Sequence, residues 1–305
     1  MTTLPRFLII GAQKAGSTFL HETLRQHPSL FLPRYETPIF EDPFYQAGAV
    51  QSELGRILAP ARPDQKPGIK RPDYLGRPEC PARLARHLPD AQLVVTLRHP
   101  LARAISAYYW YMQVGILPVR PLNEGMADLL KGNLTRRNPK AQEVLSYGLY
   151  HEHLQRYLRY FNAKQMLIIL DTELRADVTG VLKRVFTFLG VDVDFTPPDL
   201  KRKPKQSVYA QARLRWLAWA NQHFFYDSWQ DADQMLVLAP KKSNIAQLAY
   251  YACLSVDRVV LQRLYANEAP ILEPTLAQAL RNFYYEDILA LQALLCTDLD
   301  TWLSM

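Results

Sequence analysis

The stretch PRFLIIGAQKAGSTFLHE, residues 5 to 22, restricts the fold of this chain more than any other. Arg6 to Ile10 is a short apolar, β-branched run, Gly11 to Thr18 spells GAQKAGST, and Phe19, Leu20 and Leu24 then recur at helical spacing until His27-Pro28 stops them. The expected order is strand, loop, helix. Such a loop turns successive backbone N–H groups and the positive end of a helix toward one point, where an anion is held, and Lys14 adds a full positive charge. The same residues would also serve as an ordinary strand-to-helix turn in a doubly wound α/β protein.

The loop resembles a phosphate-binding loop with one departure. In the nucleoside triphosphatase pattern G-x-x-x-x-G-K-[ST] a lysine follows the second glycine, whereas here Ser17 follows Gly16 and the lysine is Lys14. The side chain that would reach a γ-phosphate is missing, while the cradle and one cation at its crest are kept.

Composition bounds the rest. The chain has 305 residues, 49% of them hydrophobic and 21% charged, enough for a large core and for one elaborated domain or a domain with an appended helical part. A net charge of +7 suits an anionic ligand, although a diffuse basic surface explains it equally. Cys80, Cys253 and Cys296 lie far apart and form no C-x-x-C, so neither a disulfide framework nor a zinc site is expected, and a reducing, cytoplasmic setting fits. Neither a signal peptide nor a membrane anchor is expected, because no apolar run approaches the length of a span. The sequon at Asn133 is then expected to go unused.

Further along, Ser29 to Leu32 is a short strand candidate, and Pro33 to Phe40 is a loop carrying Glu36, either a desolvated base or a solvated loop charge. Pro67 to Tyr74 reads as a very short strand ending in Lys70-Arg71 and a proline turn, the cation pair being an ordinary feature of solvated surface. Ala91 to Arg98 is a nearly unbroken apolar strand, as in a parallel sheet covered on both faces. Pro100 opens a helix with its apolar stripe at Leu101, Ile105, Tyr108 or Tyr109, and Met112. Arg98 at the carboxyl end of that strand, with Arg103 and Ser106 on the helix, forms a trio suited to a phosphate; helix-surface arginines with a small packing serine are the alternative.

Residues 113 to 145, rich in Pro, Gly, Asn and charge, read as a long, partly helical excursion. A helix through Leu149 to Phe161, a strand at Gln165 to Leu170 and a single helix from Asp171 to Gly190 follow. His151 and His153, two apart, fall on different helix faces and are no metal pair. Lys201 to Ser207 is the densest basic run, and Gln211 onward reads as mostly helical and aromatic, the aromatics serving as core.

Taken in order, GAQKAGST and VVTLRHPLARAISAY resemble the sulfotransferases that use 3′-phosphoadenosine 5′-phosphosulfate (PAPS). Glu36-Thr37-Pro38-Ile39-Phe40 is similar to the E-x-x-F-F stretch of the heparan-type branch, and Lys70-Arg71-Pro72-Asp73-Tyr74 to its K-[ST]-P-x-Y stretch. Ser146 to Tyr150 and the ending at Asp298 to Trp302 fit as well, so the resemblance covers nearly the whole chain, weakest at about 111–145 and 205–270.

The resemblance implies a P-loop-like three-layer α/β fold, a central parallel sheet flanked by helices with a helical carboxyl-terminal part. It implies a single sulfotransferase domain over residues 1–305, with 111–145 and 205–270 as variable acceptor-side segments. PAPS is the implied co-substrate and PAP the product, with no metal required. Gly11, Ala12, Gln13, Lys14, Ala15, Gly16, Ser17 and Thr18 would grip the 5′-phosphosulfate, and Arg98 and Ser106 the 3′-phosphate. Lys203 and Lys205 lie where the family wraps the nucleotide, although the usual K-G-R is absent. Glu36 would act as general base, Lys14 would meet charge on the leaving phosphate, and Lys70 would sit near the transferred group. Pro38 stands where heparan-type members often carry histidine. The expected acceptor is a small metabolite of secondary metabolism or a saccharide, with no nucleic-acid or membrane partner. Two other readings remain, a P-loop kinase consuming ATP with magnesium, and a non-catalytic polyanion-binding protein whose affinity falls steeply with salt.

Overall fold

A computed structural model describes residues 3–200, 207–230, 236–241 and 243–304. Its organising element is β1 (Phe7–Gly11), where the side chains of Phe7 to Ile10 are completely buried, as the unbroken apolar run requires. The other strands of the sheet are β2 (Leu30–Phe31), β3 (Lys66–Lys70), β4 (Gln92–Leu97) and β5 (Met166–Leu170), in the order β2-β3-β1-β4-β5 with every pairing parallel. β1 pairs with β3 on one side (Ile9 opposite Lys70) and with β4 on the other (Ile9 opposite Val94). The chain therefore leaves β1 toward one edge and later crosses to the other. Open α/β sheets bind ligands at the carboxyl end of such a strand.

The chain divides into two compact units, the first made of residues 1–99, 149–204 and 290–297. It contains the five-stranded parallel sheet flanked by helices. The helix Ser17–Leu24 follows β1 and buries Leu20 and Leu24 in a core with Phe7, Ile9, Val94 and Ile169. One helix was expected from Asp171 to Gly190, but two form, Asp171–Ala176 and Val178–Leu189. Asp177 breaks them. Its backbone is non-helical (φ −143°) and its carboxylate accepts from Gly180 N at 2.8 Å, capping the second helix.

The second unit comprises residues 100–148, 205–289 and 298–305. The excursion at 113–145 is more ordered than its composition suggests, with helices Leu122–Leu130, Asn133–Arg137 and Glu143–Ser146 burying Leu122, Met126, Leu129 and Leu134 against Tyr108 and Met112. The region after Gln211, expected to be mostly helical, also holds a strand pair. After the helix Gln211–Ala220, β6 (Tyr226–Gln230) and β7 (Leu236–Pro240) pair antiparallel, Tyr226 opposite Pro240. Leu236-Val237-Leu238 is an apolar triplet with a single β-branched residue, Val237, and its short length hid it among helical neighbours. The helix Pro274–Leu295 begins at proline and buries Leu280, Tyr284, Ile288 and Leu291 at helical spacing.

The three cysteines carry no disulfide. Among the described residues no helix is long and apolar enough to cross a membrane. Asp177→Ala removes the cap between the paired helices and is expected to lower unfolding free energy by about 1 kcal/mol, read from the urea midpoint at constant slope.

Candidate active site

The loop after β1 is shaped by two left-handed residues, Lys14 (φ 65°) and Gly16 (φ 91°). Left-handed residues in a tight loop curl it so that N–H groups converge, and glycine adopts this conformation without strain. Ala12 N donates to Thr96 O at 2.6 Å and Ala15 N to Ala12 O at 3.3 Å, closing the curl. Helix Ser17–Leu24 starts directly after it, and the first amides of a helix have no intrahelical acceptor. Ser17 and Thr18 thus stand where amides and a helix dipole favour negative charge. Gly11 fits only as glycine, because a Cβ there would meet Leu75 Cβ at 2.5 Å. Gln13 is turned away from the mouth, its amide donating to Asp73 Oδ1 at 3.0 Å in the interior.

Beside this loop, Lys70 at the end of β3 is buried, its side chain 4% exposed. Its ammonium donates to Thr18 Oγ1 at 3.0 Å and to Glu36 Oε1 at 2.8 Å. Arg71 donates to the other oxygen, Glu36 Oε2, at 3.1 Å. Glu36 is therefore neither of the two forms expected for it. Its side chain is 40% exposed yet held through both oxygens by cations. The cation pair is also not the solvated surface its composition suggests, since Lys70 and Arg71 face buried or half-buried carboxylates. Thr37 N donates to Lys70 O at 3.3 Å and Tyr74 Oη donates to Thr37 O, so one backbone bond and one side-chain bond tie the loop carrying Glu36 to the end of β3 and the turn after it.

Glu41 and His21 complete the cluster, and sequence reasoning found neither. Arg71 grips Glu41 with two parallel bonds, Nε to Oε1 at 2.6 Å and Nη2 to Oε2 at 2.7 Å, and its Nη2 lies 3.0 Å from Asp73 Oδ2. Burial opposes the charge on Arg71, but Glu41, Asp73 and Glu36 outweigh it and keep the guanidinium protonated well above its ordinary range. Burial pushes the Glu41 carboxyl up against the pull of Arg71. The His21 imidazole, on the helix after the loop, is lowered by burial and then by the charge of Lys70, and its Nε2 donates to Pro33 O at 2.9 Å.

Arg98, at the end of β4, donates from Nη1 to Lys14 O at 3.4 Å and approaches Asp171 Oδ2 at 3.7 Å. Burial raises the Asp171 carboxyl, opposed by Arg175 and Arg98. Tyr150 Oη donates to Arg98 O at 2.8 Å, and Thr96 Oγ1 donates to Gly11 O at 3.1 Å. The ends of β1, β3 and β4 therefore present the loop, Lys70 with Glu36, and Arg98.

Arg103 and Ser106 belong to the second unit. Arg103 is committed to an interior contact. It is fully buried in the second unit and donates to Val144 O, among neighbours that include Tyr284, whose hydroxyl burial raises to about 12 against the influence of Arg103. Ser106 is in the second unit too, with Oγ 3.2 Å from Ser207 Oγ. Lys203 and Lys205 lie outside the described residues. Among the described residues no three or more of His, Cys, Asp and Glu are grouped to hold a metal ion.

Comparison with known proteins bears on family and fold. The family model "Sulfotransferase domain" matches residues 4–224. Human heparan sulfate glucosamine 3-O-sulfotransferase 3B1 is 33% identical over 189 residues, 62% of this chain and 46% of that protein, so the chain spans about half the length of the curated relatives it matches. Among solved structures, a sulfotransferase from Alicyclobacillus acidocaldarius superposes with a TM-score of 0.67 at 22% identity, covering 98% of this chain and 99% of that one. Mouse sulfotransferase SULT7A1 complexed with PAP gives 0.51 at 18% identity, over 93% and 84% of the two chains. At these identities the structural likeness is one of fold. With the family model matched over most of its length, the chain belongs to the sulfotransferase family, whose members take their sulfuryl group from PAPS.

Proposed function

We propose that this chain transfers a sulfuryl group from PAPS to a hydroxyl or amine of a small-molecule or saccharide acceptor. The observation that carries the reading is the juxtaposition, at the carboxyl ends of β1 and β3, of the left-handed loop at Lys14 and Gly16 with the Thr18–Lys70–Glu36 chain. A loop of converging amides fits a phosphosulfate, and Arg98, tied to that loop through Lys14 O, supplies a cation for a second phosphate. Ser106 retains its assignment to the 3′-phosphate by its place in the motif. The heparan relative and the PAP-bound mouse enzyme support the donor and the acceptor class by analogy.

In the proposed step the acceptor oxygen or nitrogen attacks sulfur, the bond from sulfur to the bridging phosphate oxygen breaks in line, and PAP leaves. Glu36 takes the acceptor proton. Lys14 and the loop amides meet the charge that develops on the leaving oxygen, and Lys70 holds Glu36 and the first turn of the loop helix in one arrangement. The sulfuryl group carries less negative charge than a phosphoryl group, so fixed cations and amides suffice for the charge that builds.

PAP at about 100 times its dissociation constant is expected to add about 2.7 kcal/mol to stability, seen as a raised melting temperature, while ATP with magnesium leaves it unchanged. A rise with magnesium ATP alone would support a kinase, and no rise with either would remove the donor site. Lys14→Ala is expected to lower turnover of PAPS by roughly 100- to 1,000-fold. Glu36→Gln should lower it by about 100-fold or more while keeping the PAP-induced rise. Unaltered turnover in both variants would contradict the assigned roles.

A further inference from the structure

A groove of about 750 Å³ opens within the first unit, between the loop that follows β2 and the helix Val50–Leu58. Its lining is mainly apolar and aromatic, with Phe31, Pro33, Tyr35, Ile39, Phe44 and Ile57 among the side chains that form it. The volume suits one small organic molecule, for which pockets run from roughly 300 to 1,000 Å³. Glu36 belongs to the same lining, while its two carboxylate oxygens are held by Lys70 and Arg71.

The charges along the groove are unequally committed. Arg25 is held by Glu22 at 3.1 Å and by Leu32 O at 3.2 Å, and Arg56 by Glu53 at 2.9 Å. Glu36 is held by Lys70 and Arg71. Arg34 is exposed and, among the described residues, has no ion pair or hydrogen bond. Next to it Tyr35 is 82% exposed, offering a flat apolar face on which a ring can stack. One uncommitted guanidinium, one exposed ring and an apolar wall are thus gathered within two residues of Glu36.

We propose that this groove is the acceptor site, and that the acceptor is a compact molecule with a flat apolar or aromatic body, a hydroxyl or amine to be sulfated, and a single anionic group paired with Arg34. The inference rests on the PAPS reading above and deepens it. A polyanionic saccharide chain would need a cation for each charge it brings into the groove, since an unpaired charge loses its hydration without return. Of the groove's three arginines, Arg34 alone has no partner among the described residues. The apolar part of the wall covers an aromatic body well.

The test uses para-hydroxycinnamate and its methyl ester, which differ only in the anionic group, titrated calorimetrically into the PAP-saturated full chain. The acid is expected to bind about tenfold more tightly than the ester to the unsubstituted protein. Arg34→Ala should remove that difference by weakening the acid alone, and Tyr35→Ala should weaken both ligands. A heparan-type oligosaccharide should not displace the acid. A PAP-induced rise in melting temperature in each variant shows that it is folded with its donor site intact. PAP binding with no binding of acid or ester, equal affinity for both, or displacement by the oligosaccharide would each overturn the groove assignment alone. Binding of the acid by a protein that ignores PAP would overturn the donor reading and the acceptor assignment together.

Discussion

A buried ammonium at the end of β3 is the interaction on which the site depends. Lys70 has lost almost all contact with water, and a charge so placed persists only if it is paired and hydrogen-bonded. Its partners come from separate parts of the chain, Thr18 in the first turn of the loop helix and Glu36 in the loop after β2. One side chain therefore fixes the distance between an anion cradle and a carboxylate. Arg71 extends the arrangement by holding the second oxygen of Glu36 while pairing with Glu41 and Asp73 behind it. The carboxylate is oriented by two cations, so its geometry is set before any ligand arrives.

The sheet explains why these groups meet. β1 lies between β3 and β4 with parallel pairing on both sides, so the loops leaving all three strands emerge at the same end. Arg71 N donates to Ile9 O at 3.0 Å and Ala12 N to Thr96 O at 2.6 Å, which carries the strand register just past the sheet on both flanks of the loop. Close approach at Gly11 and left-handed backbone at Gly16 are the local conditions that let the chain turn there. Fold and chemistry are linked through these few residues.

Much of this was legible in the residues. β1, its loop and β4 are long or distinctive enough to be read directly, and the motifs within them led to the family. Long-range pairing was not legible. Glu41 is a lone acidic residue in a loop, and its meaning comes from Arg71, thirty positions away, which pairing alone reveals. Arg103 was placed with Arg98 because strand-end position and spacing suggest convergence. Helical spacing does not settle which side is interior when Ala104, Tyr108 and Tyr111 are buried beside it. Asp177 was hidden inside a continuous helical pattern because an N-cap between two helices leaves hydrophobic periodicity unbroken. The β6–β7 pair was missed because strands of five residues among helices carry little periodic signal.

The central claim is that Lys70 joins the proposed donor loop and the proposed base into one unit. A double-mutant cycle tests it most directly, with PAP release from PAPS measured for the unsubstituted chain, Lys70→Met, Glu36→Gln and the double variant. Groups that act through each other lose their function together, so the double variant is predicted to be little slower than the slower single variant, with a coupling above about 1 kcal/mol. Additive losses, each substitution lowering turnover by the same factor whether or not the other is present, would contradict the account.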